Sequence, residues 1–129
     1  MRWRVTETLL ALMNEETRAN HGEFLVGTRT SGVEVDADPV AVRAFSDRLG
    51  VPDLFYPDRR IAALGTRDRF AVLNLAQPLQ TYAKQHHLYL RGFRNTTMGG
   101  GHWNADGHRL AGEMIARKIC AMPQVLLRC

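Results

Sequence analysis

The side chains best suited to chemistry are concentrated in one segment, from Gly99 to His108, which reads Gly-Gly-Gly-His-Trp-Asn-Ala-Asp-Gly-His. Its first imidazole, His102, follows the three glycines and comes just before Asn104, which can cap a helix. A histidine placed there can reach a cleft at the carboxyl edge of a sheet, where open α/β folds bind their ligands. We therefore predict that His102 is a general base. The alternative is a histidine that only forms hydrogen bonds within its loop.

A general base of this kind needs a nucleophile to activate, and the sequence contains only two serines. Ser31 lies in Thr-Ser-Gly at the end of a predicted strand and is a candidate, although a turn residue is the simpler interpretation. Ser46 lies within a predicted helix and is expected on its surface. The nucleophile therefore stays unknown at this stage.

Three further residues close to His102 are candidates for contact with a substrate. Asn95 and Thr96 precede the glycines and could line the entrance to the site, or they could simply form a turn. Trp103 is expected in the core or in the wall of the cleft, because a buried indole needs only one hydrogen-bond acceptor. The glycines match neither the dinucleotide-binding nor the Walker pattern, so we predict no cofactor.

The spacing of histidine and cysteine gives no reason to expect a metal site. His86 and His87 are adjacent, whereas ligands on one helix face lie four positions apart, so we expect both at the surface. Cys120 and Cys129 lack the Cys-x-x-Cys spacing of zinc sites. We interpret them as a reduced pair in a cytosolic protein, with a local disulfide as the alternative.

Alternating helices and strands must position these residues. The apolar pattern predicts helices over residues 5–20, 39–49 and 58–64, from Pro78 onward, and after Asn104, with strands within residues 23–30 and over 70–75. In the first helix the apolar residues recur at the spacing of an amphipathic helix; they are Val5, Leu9, Leu12 and Met13. The alternation predicts a single α/β domain over residues 1–129, with three layers and mostly parallel strands. Because two strands are too few for such a sheet, we expect the sheet to be incomplete.

Length and composition exclude a membrane-spanning chain and indicate one globular domain. The chain has 129 residues, of which 45% are apolar, enough to bury a core. It contains no apolar run of the length that spans a bilayer. Charges interrupt the N-terminal Met-Arg-Trp-Arg-Val-Thr-Glu-Thr-Leu-Leu where a signal peptide stays apolar. We expect a soluble, cytoplasmic chain, although an exported parent protein would leave the same signature.

The basic charge does not form a nucleic-acid-binding pattern. The formal net charge is +4, and its 17 basic residues are all arginine except Lys84 and Lys118. They are dispersed along the chain instead of being grouped with aromatic residues, so we predict no nucleic-acid partner. The arginines are interpreted as a solvated surface, with an anionic ligand as the alternative. A basic DNA-binding protein is a further hypothesis, opposed by the buried strands.

The block His-Trp-Asn-x-x-Gly-His followed by an amphipathic helix resembles the last conserved block of the SGNH, or GDSL-type, serine ester hydrolases. The order of Phe-Leu-Val-Gly-Thr-Arg-Thr, Leu-Phe-Tyr-Pro-Asp-Arg-Arg and Phe-Ala-Val-Leu-Asn-Leu is also similar, so the resemblance extends from about Val5 to Cys120. It implies an SGNH/flavodoxin-like α/β/α sheet, a small acyl-ester substrate, and His102 as the base that deprotonates a serine. His108 matches the second histidine of the block, which is structural.

Two departures from that family limit what the resemblance implies. The family has an aspartate three residues before the catalytic histidine, where this chain has Gly99, and Asp106 is better suited to stabilising a helix N-terminus. The Gly-Asp-Ser block and the oxyanion-hole Gly and Asn have no counterpart. We therefore interpret the chain as the C-terminal half of such a domain, inactive alone, and expect self-association or a missing N-terminal portion. The alternative is a non-catalytic binding or assembly module that retains half of the fold.

Overall fold

The fold is an α/β arrangement in which a small parallel sheet is surrounded by helices. The computed structural model describes residues 2–36 and 38–122. Its elements, in chain order, are α1 (Arg2–Ala19), β1 (Leu25–Thr28), a 3₁₀ helix (Val33–Val35), α2 (Pro39–Leu49), α3 (Tyr56–Asp68), β2 (Ala71–Asn74), α4 (Ala76–His86) and α5 (Ala105–Cys120). No helix in this described part of the chain has the length and apolar character needed to cross a membrane.

The sheet consists of β1 and β2, which pair in parallel with Leu25 opposite Ala71 and Thr28 opposite Asn74. The connection between the strands passes through the 3₁₀ helix, α2 and α3. Parallel neighbours need such a helical crossover, so this is a βαβ unit. Both predicted strands and the parallel pairing are confirmed. In the described residues the sheet stops at these two strands.

Local capping signals set the bounds of α2 as predicted. The Asp38 carboxylate accepts a hydrogen bond from the Val40 N–H at 2.8 Å, Pro39 occupies the first turn, and Gly50 ends α2 with a φ of 62°. The prediction that α4 begins at Pro78 is wrong, because the helix begins at Ala76. A proline fits in the first turn, where its absent N–H would have no helical partner.

The main core lies between the 3₁₀ helix, α4 and α5, directly beneath the loop that carries His102. Its buried members are Val35, Leu75, Leu79, Ala83, Leu90, Leu110 and Ala111. The predicted inner positions of α4 and α5 are thus confirmed at Leu79, Ala83, Leu110 and Ala111. Trp103 packs against this cluster, so the core supports the loop from below.

Helix α1 presents its apolar stripe outward, which reverses the usual orientation of an amphipathic helix. The large apolar side chains are half exposed or more, with Val5 at 62%, Leu9 at 54%, Leu12 at 55% and Met13 at 51%. Asn14, by contrast, is buried. The predicted helix is confirmed, but these apolar residues do not face the fold; the side that does carries Asn14 together with half-buried Trp3 and Leu10.

The interpretation of Cys120 as a reduced thiol is wrong, because Cys120 is disulfide-bonded in the structure. Cys129, the other member of the predicted pair, lies outside the described residues.

Candidate functional site

The loop from residue 87 to residue 104 connects α4 to α5 and is held together near its two ends. Arg91 and Trp103 form an antiparallel bridge. The Gly92 N–H donates to the carbonyl of His102 at 3.1 Å, and the Asn104 N–H donates to the carbonyl of Leu90 at 3.0 Å. These backbone bonds fix the chain on both sides of His102, although the loop itself contains no regular element.

Asn104 begins α5 as predicted and also ties that helix to the first part of the loop. Its side-chain oxygen accepts a hydrogen bond from the Gly107 N–H at 3.0 Å, which satisfies one free donor of the first turn. Its side-chain nitrogen donates to the carbonyl of Tyr89 at 2.8 Å. One residue therefore sets both where α5 begins and how the His102 loop meets it.

Arg91 attaches the His102 loop to the segment that follows β1. Its guanidinium donates to the carbonyl of Gly101 at 2.7 Å, to the Thr30 hydroxyl at 3.2 Å, and to the Thr30 carbonyl. The planar fork of an arginine suits this double attachment, which an ammonium group cannot reproduce. Because Thr30 comes two residues after the end of β1, Arg91 places the loop at the carboxyl end of that strand.

The environment of Arg91 is unusual for this residue type. The residue is only 6% exposed, and burial lowers the pKa of its guanidinium. The charge of Arg29 lowers this pKa further, whereas Glu34 raises it. The interpretation of the arginines as a solvated surface is therefore wrong for Arg91, which is a buried tether.

Two buried donors at this junction have no hydrogen-bond partner among the described residues. They are the Nε of Arg91 and the indole Nε1 of Trp103. The guanidinium carbon lies 5.8 Å from the centre of the Trp103 ring. The contact between Arg91 and Trp103 is therefore polar, but its hydrogen-bonding groups are not all satisfied. Each unsatisfied buried donor costs about 1–3 kcal/mol. Trp103 is half buried against the core, as expected, but its indole lacks the acceptor that we anticipated.

His102 itself is exposed at the base of the loop. Its carbonyl accepts the bond from Gly92, and its imidazole makes no hydrogen bond to any residue that the structure describes. The second histidine of the segment, His108, packs edge-on against Trp103, with ring centres 5.7 Å apart and an angle of 89°. That contact agrees with the structural role expected for His108.

The segment after β1 touches the glycine loop, yet Ser31 is not paired with His102. The Glu34 N–H donates to the Ser31 hydroxyl at 3.4 Å, and the Ser31 N–H donates to the Glu34 carboxylate. These two bonds close a turn over residues 31–34, in agreement with the turn interpretation of Ser31. At the neighbouring Gly32, a side chain would begin only 2.5 Å from the Gly99 carbonyl oxygen.

A carboxylate from another element lies beside Gly99, the position at which the resembling family has its aspartate. A side chain at Gly99 would begin 3.4 Å from an oxygen of Asp36 and 3.2 Å from a ring carbon of Tyr89. The φ of Gly99 is +83°, a conformation that favours glycine. Backbone conformation and close packing both therefore disfavour an aspartate at this position, while Asp36 supplies an acidic group nearby.

Asn95 and Thr96 lie at the exposed tip of the loop. The Thr96 hydroxyl accepts a bond from the Phe93 N–H at 2.8 Å, and the Thr96 N–H donates to the Phe93 carbonyl at 2.8 Å. These bonds close a turn, in agreement with the alternative interpretation of this pair.

Ser46, expected on a helix surface, is half buried, and its hydroxyl donates to the Val51 carbonyl.

A polar cluster that the sequence analysis missed joins the carboxyl ends of the two strands. The Thr28 hydroxyl contacts both the Asp58 carboxylate and the side-chain oxygen of Asn74, the latter at 3.4 Å. The Asn74 side chain donates to the Asp58 carbonyl at 3.1 Å, and Asp58 is only 8% exposed. Polar residues at the ends of two apolar strands were the available signal, but the partner in the first turn of α3 has no local signature.

These residues do not form a metal centre. Within residues 2–36 and 38–122, no group of three or more histidine, cysteine or acidic side chains is placed to hold a metal ion.

Comparison of the chain with protein-family models, with curated proteins and with solved structures gives no match. No comparison therefore supports the resemblance to SGNH hydrolases, which is based on the sequence motifs alone.

Proposed function

We propose that this chain carries the histidine side of an ester-hydrolase site of the SGNH type, with His102 as the general base and a small acyl ester as substrate. The observation that carries the proposal is the Arg91 tether, which joins the His102 loop to the end of β1 through Gly101 and Thr30. The exposed imidazole of His102 lies in a loop that is tied to the carboxyl end of β1, and open α/β folds bind their ligands at that edge of the sheet.

The reaction proposed for the intact protein is acyl transfer through a serine. His102 takes the proton from the serine hydroxyl as its oxygen attacks the ester carbonyl, and then returns the proton to the departing alcohol. In the second half, His102 takes a proton from water, the hydroxyl attacks the acyl-serine, and the serine leaves as the free hydroxyl. No cofactor is required by these steps.

The nucleophile is proposed to come from sequence outside these 129 residues. The Ser31 hydroxyl accepts from Glu34, an arrangement that serves a turn and not an attack on a substrate. A full α/β/α sheet is also proposed, in which sequence outside these residues supplies the missing strands. Each described strand has only one neighbour, so further strands could pair with the open edges.

Asp36 is proposed as the acid that comes to orient His102 in the intact protein, since the imidazole has no hydrogen-bond partner among the described residues. Its carboxylate lies beside Gly99, where the SGNH pattern would supply an aspartate from the loop itself. The acid would thus come from the segment before α2 and not from the loop.

A second candidate function is a non-catalytic binding or assembly module. The turn that engages Ser31 and the glycine at position 99 favour it, because both remove parts of a catalytic triad. The exposed apolar stripe of α1 also favours it, since such a surface is typical of contact with another protein.

The chain as it stands is predicted to lack serine-dependent esterase activity. Hydrolysis of p-nitrophenyl acetate should be compared among the unmodified chain, His102→Ala, Ser31→Ala and the exposed control His86→Ala. We expect the four rates to agree within about twofold, a barrier difference below about 0.5 kcal/mol, because no nucleophile is paired with His102.

Labelling with a fluorophosphonate, which reacts with activated serines, provides the second readout. No label is expected on either serine of the unmodified chain. A label on Ser31 that is lost in His102→Ala, together with a rate that depends on both residues, would show that the chain holds its own nucleophile. The proposal of an incomplete site would then be wrong.

A further inference from the structure

Helix α1 is attached to the rest of the chain by a side that combines polar contacts with half-buried apolar residues. The Arg60 guanidinium donates to the Glu7 carboxylate at 2.7 Å, and the Asn14 side chain donates to the Asp68 carbonyl at 2.9 Å. Trp3 packs edge-on against Tyr56, with ring centres 6.1 Å apart. These contacts repeat at the helical period along one side, so they fix which side of α1 faces inward.

The opposite side of α1 carries a continuous apolar stripe. Val5, Leu9 and Leu12 recur at intervals of four and three residues, and Met13 lies beside them. The exposed fractions of the four residues are 51–62%. Such a stripe is the part of an amphipathic helix that normally packs against another element. Since the inward side is already fixed by polar contacts, a partner for this stripe must come from outside the described fold.

The charges beside the stripe identify the partner. Arg4 lies at the N-terminal end, whereas Glu15 and Glu16 lie at the C-terminal end, and all three are exposed. The last turn also carries exposed Arg18, which lies two and a half turns beyond Leu9 and therefore on the side of the helix opposite the stripe. Arg4, Glu15 and Glu16 form no ion pair with another residue that the structure describes. One end of the stripe is therefore basic and the other acidic, and each end is complementary to the opposite end of an identical helix.

We infer that two copies of this chain associate through α1, with the two helices antiparallel. If Leu9 of one copy lies next to Leu12 of the other, Val5 lies near the partner's Glu16, and the Arg4 guanidinium faces the acidic end. Two-fold symmetry repeats each contact, as in most homodimers. A parallel pair would place like charges together and is disfavoured. This inference is separate from the proposed esterase chemistry, but it requires that the additional sequence proposed above leave the α1 stripe uncovered.

The first test is the oligomeric state of the 129-residue chain by sedimentation equilibrium over micromolar concentrations. We expect a monomer–dimer equilibrium for the unmodified chain. Leu9→Glu and Leu12→Glu should each raise the dimer dissociation constant at least about a hundredfold, because two charges enter each interface. Val40→Glu is the matched control, since Val40 is a 73% exposed apolar residue of α2, and its dissociation constant should be unchanged.

The second test uses charge reversal to establish the helix direction. Arg4→Glu alone, or Glu15→Arg with Glu16→Arg, should raise the dissociation constant about tenfold. The combination of all three changes should restore the original value, since it exchanges the two ends. A monomer at all concentrations, a dimer insensitive to Leu9→Glu, or reversals without effect would each overturn the inference. Unchanged far-ultraviolet circular dichroism would show that every variant is folded.

Discussion

Replacing Gly107 with alanine is expected to destabilise the chain by about 3 kcal/mol, even though alanine is the better helix former. An added methyl group would overlap the carbonyl oxygen of Leu90 and lie 3.0 Å from the Cβ of Trp103. The carbonyl cannot easily move away, because it accepts the N–H of Asn104 and belongs to a fully buried residue. The result should appear as a lower midpoint of urea unfolding at unchanged slope.

Gly112→Ala is the matched control for this prediction. It lies in the same helix, and a methyl group there meets no atom within 4 Å. Alanine at this position should raise the free energy of unfolding by about 0.5–1 kcal/mol, through helix propensity and reduced freedom of the unfolded chain. If both variants were stabilised equally, the close approach of α5 to Leu90 would not exist in solution.

Replacing Arg91 with methionine is expected to cost about 2–4 kcal/mol of unfolding free energy. The substitution leaves the carbonyls of Thr30 and Gly101 without the donor that the structure gives them. Relief of the buried charge offsets part of this loss, but two backbone acceptors are affected. Hydrogen exchange should also become faster at the Gly92 and Gly99 amides, which close the loop onto the Arg91 bridge.

Arg94→Met is the control, because Arg94 is an exposed residue of the same loop. Its effect should stay within about 0.5 kcal/mol. Arg91→Lys should resemble Arg91→Met more than the unmodified chain, since an ammonium group cannot span the two attachment points. A variant Arg91→Met with unchanged stability and exchange would contradict the role of Arg91 as the tether.

The helix ends near the site were predictable because their signals are local. Asp38 with Pro39 and Gly50 marked α2, and Asn104 marked the start of α5, each through groups within three residues of one another. The inner positions of α4 and α5 followed from apolar periodicity alone. The capping hydrogen bonds form between near neighbours in the sequence, and periodicity shows which face of a helix is apolar without showing what that face packs against.

The contacts that position the loop could not be predicted, because they join distant residues. Arg91 and Thr30 are 61 positions apart, and Thr28 and Asp58 are 30 positions apart. Because arginine is usually found at the surface, the residue type gave no indication that Arg91 would be buried. The side of α1 that faces the fold could not be predicted for a related reason. Apolar periodicity shows that an apolar stripe needs a partner, but it does not show which partner the stripe has.

We propose that His102 is the general base of an ester hydrolase whose nucleophile lies outside these residues. The most direct test is the reading frame upstream of Met1, followed by hydrolysis of short-chain p-nitrophenyl esters by the protein that includes it. We expect a Gly-Asp-Ser sequence in that frame, and a loss of kcat/KM of about a thousandfold or more in His102→Ala but not in His86→Ala. An upstream frame without a Gly-Asp-Ser sequence, or an extended protein whose esterase activity survives His102→Ala, would contradict the claim.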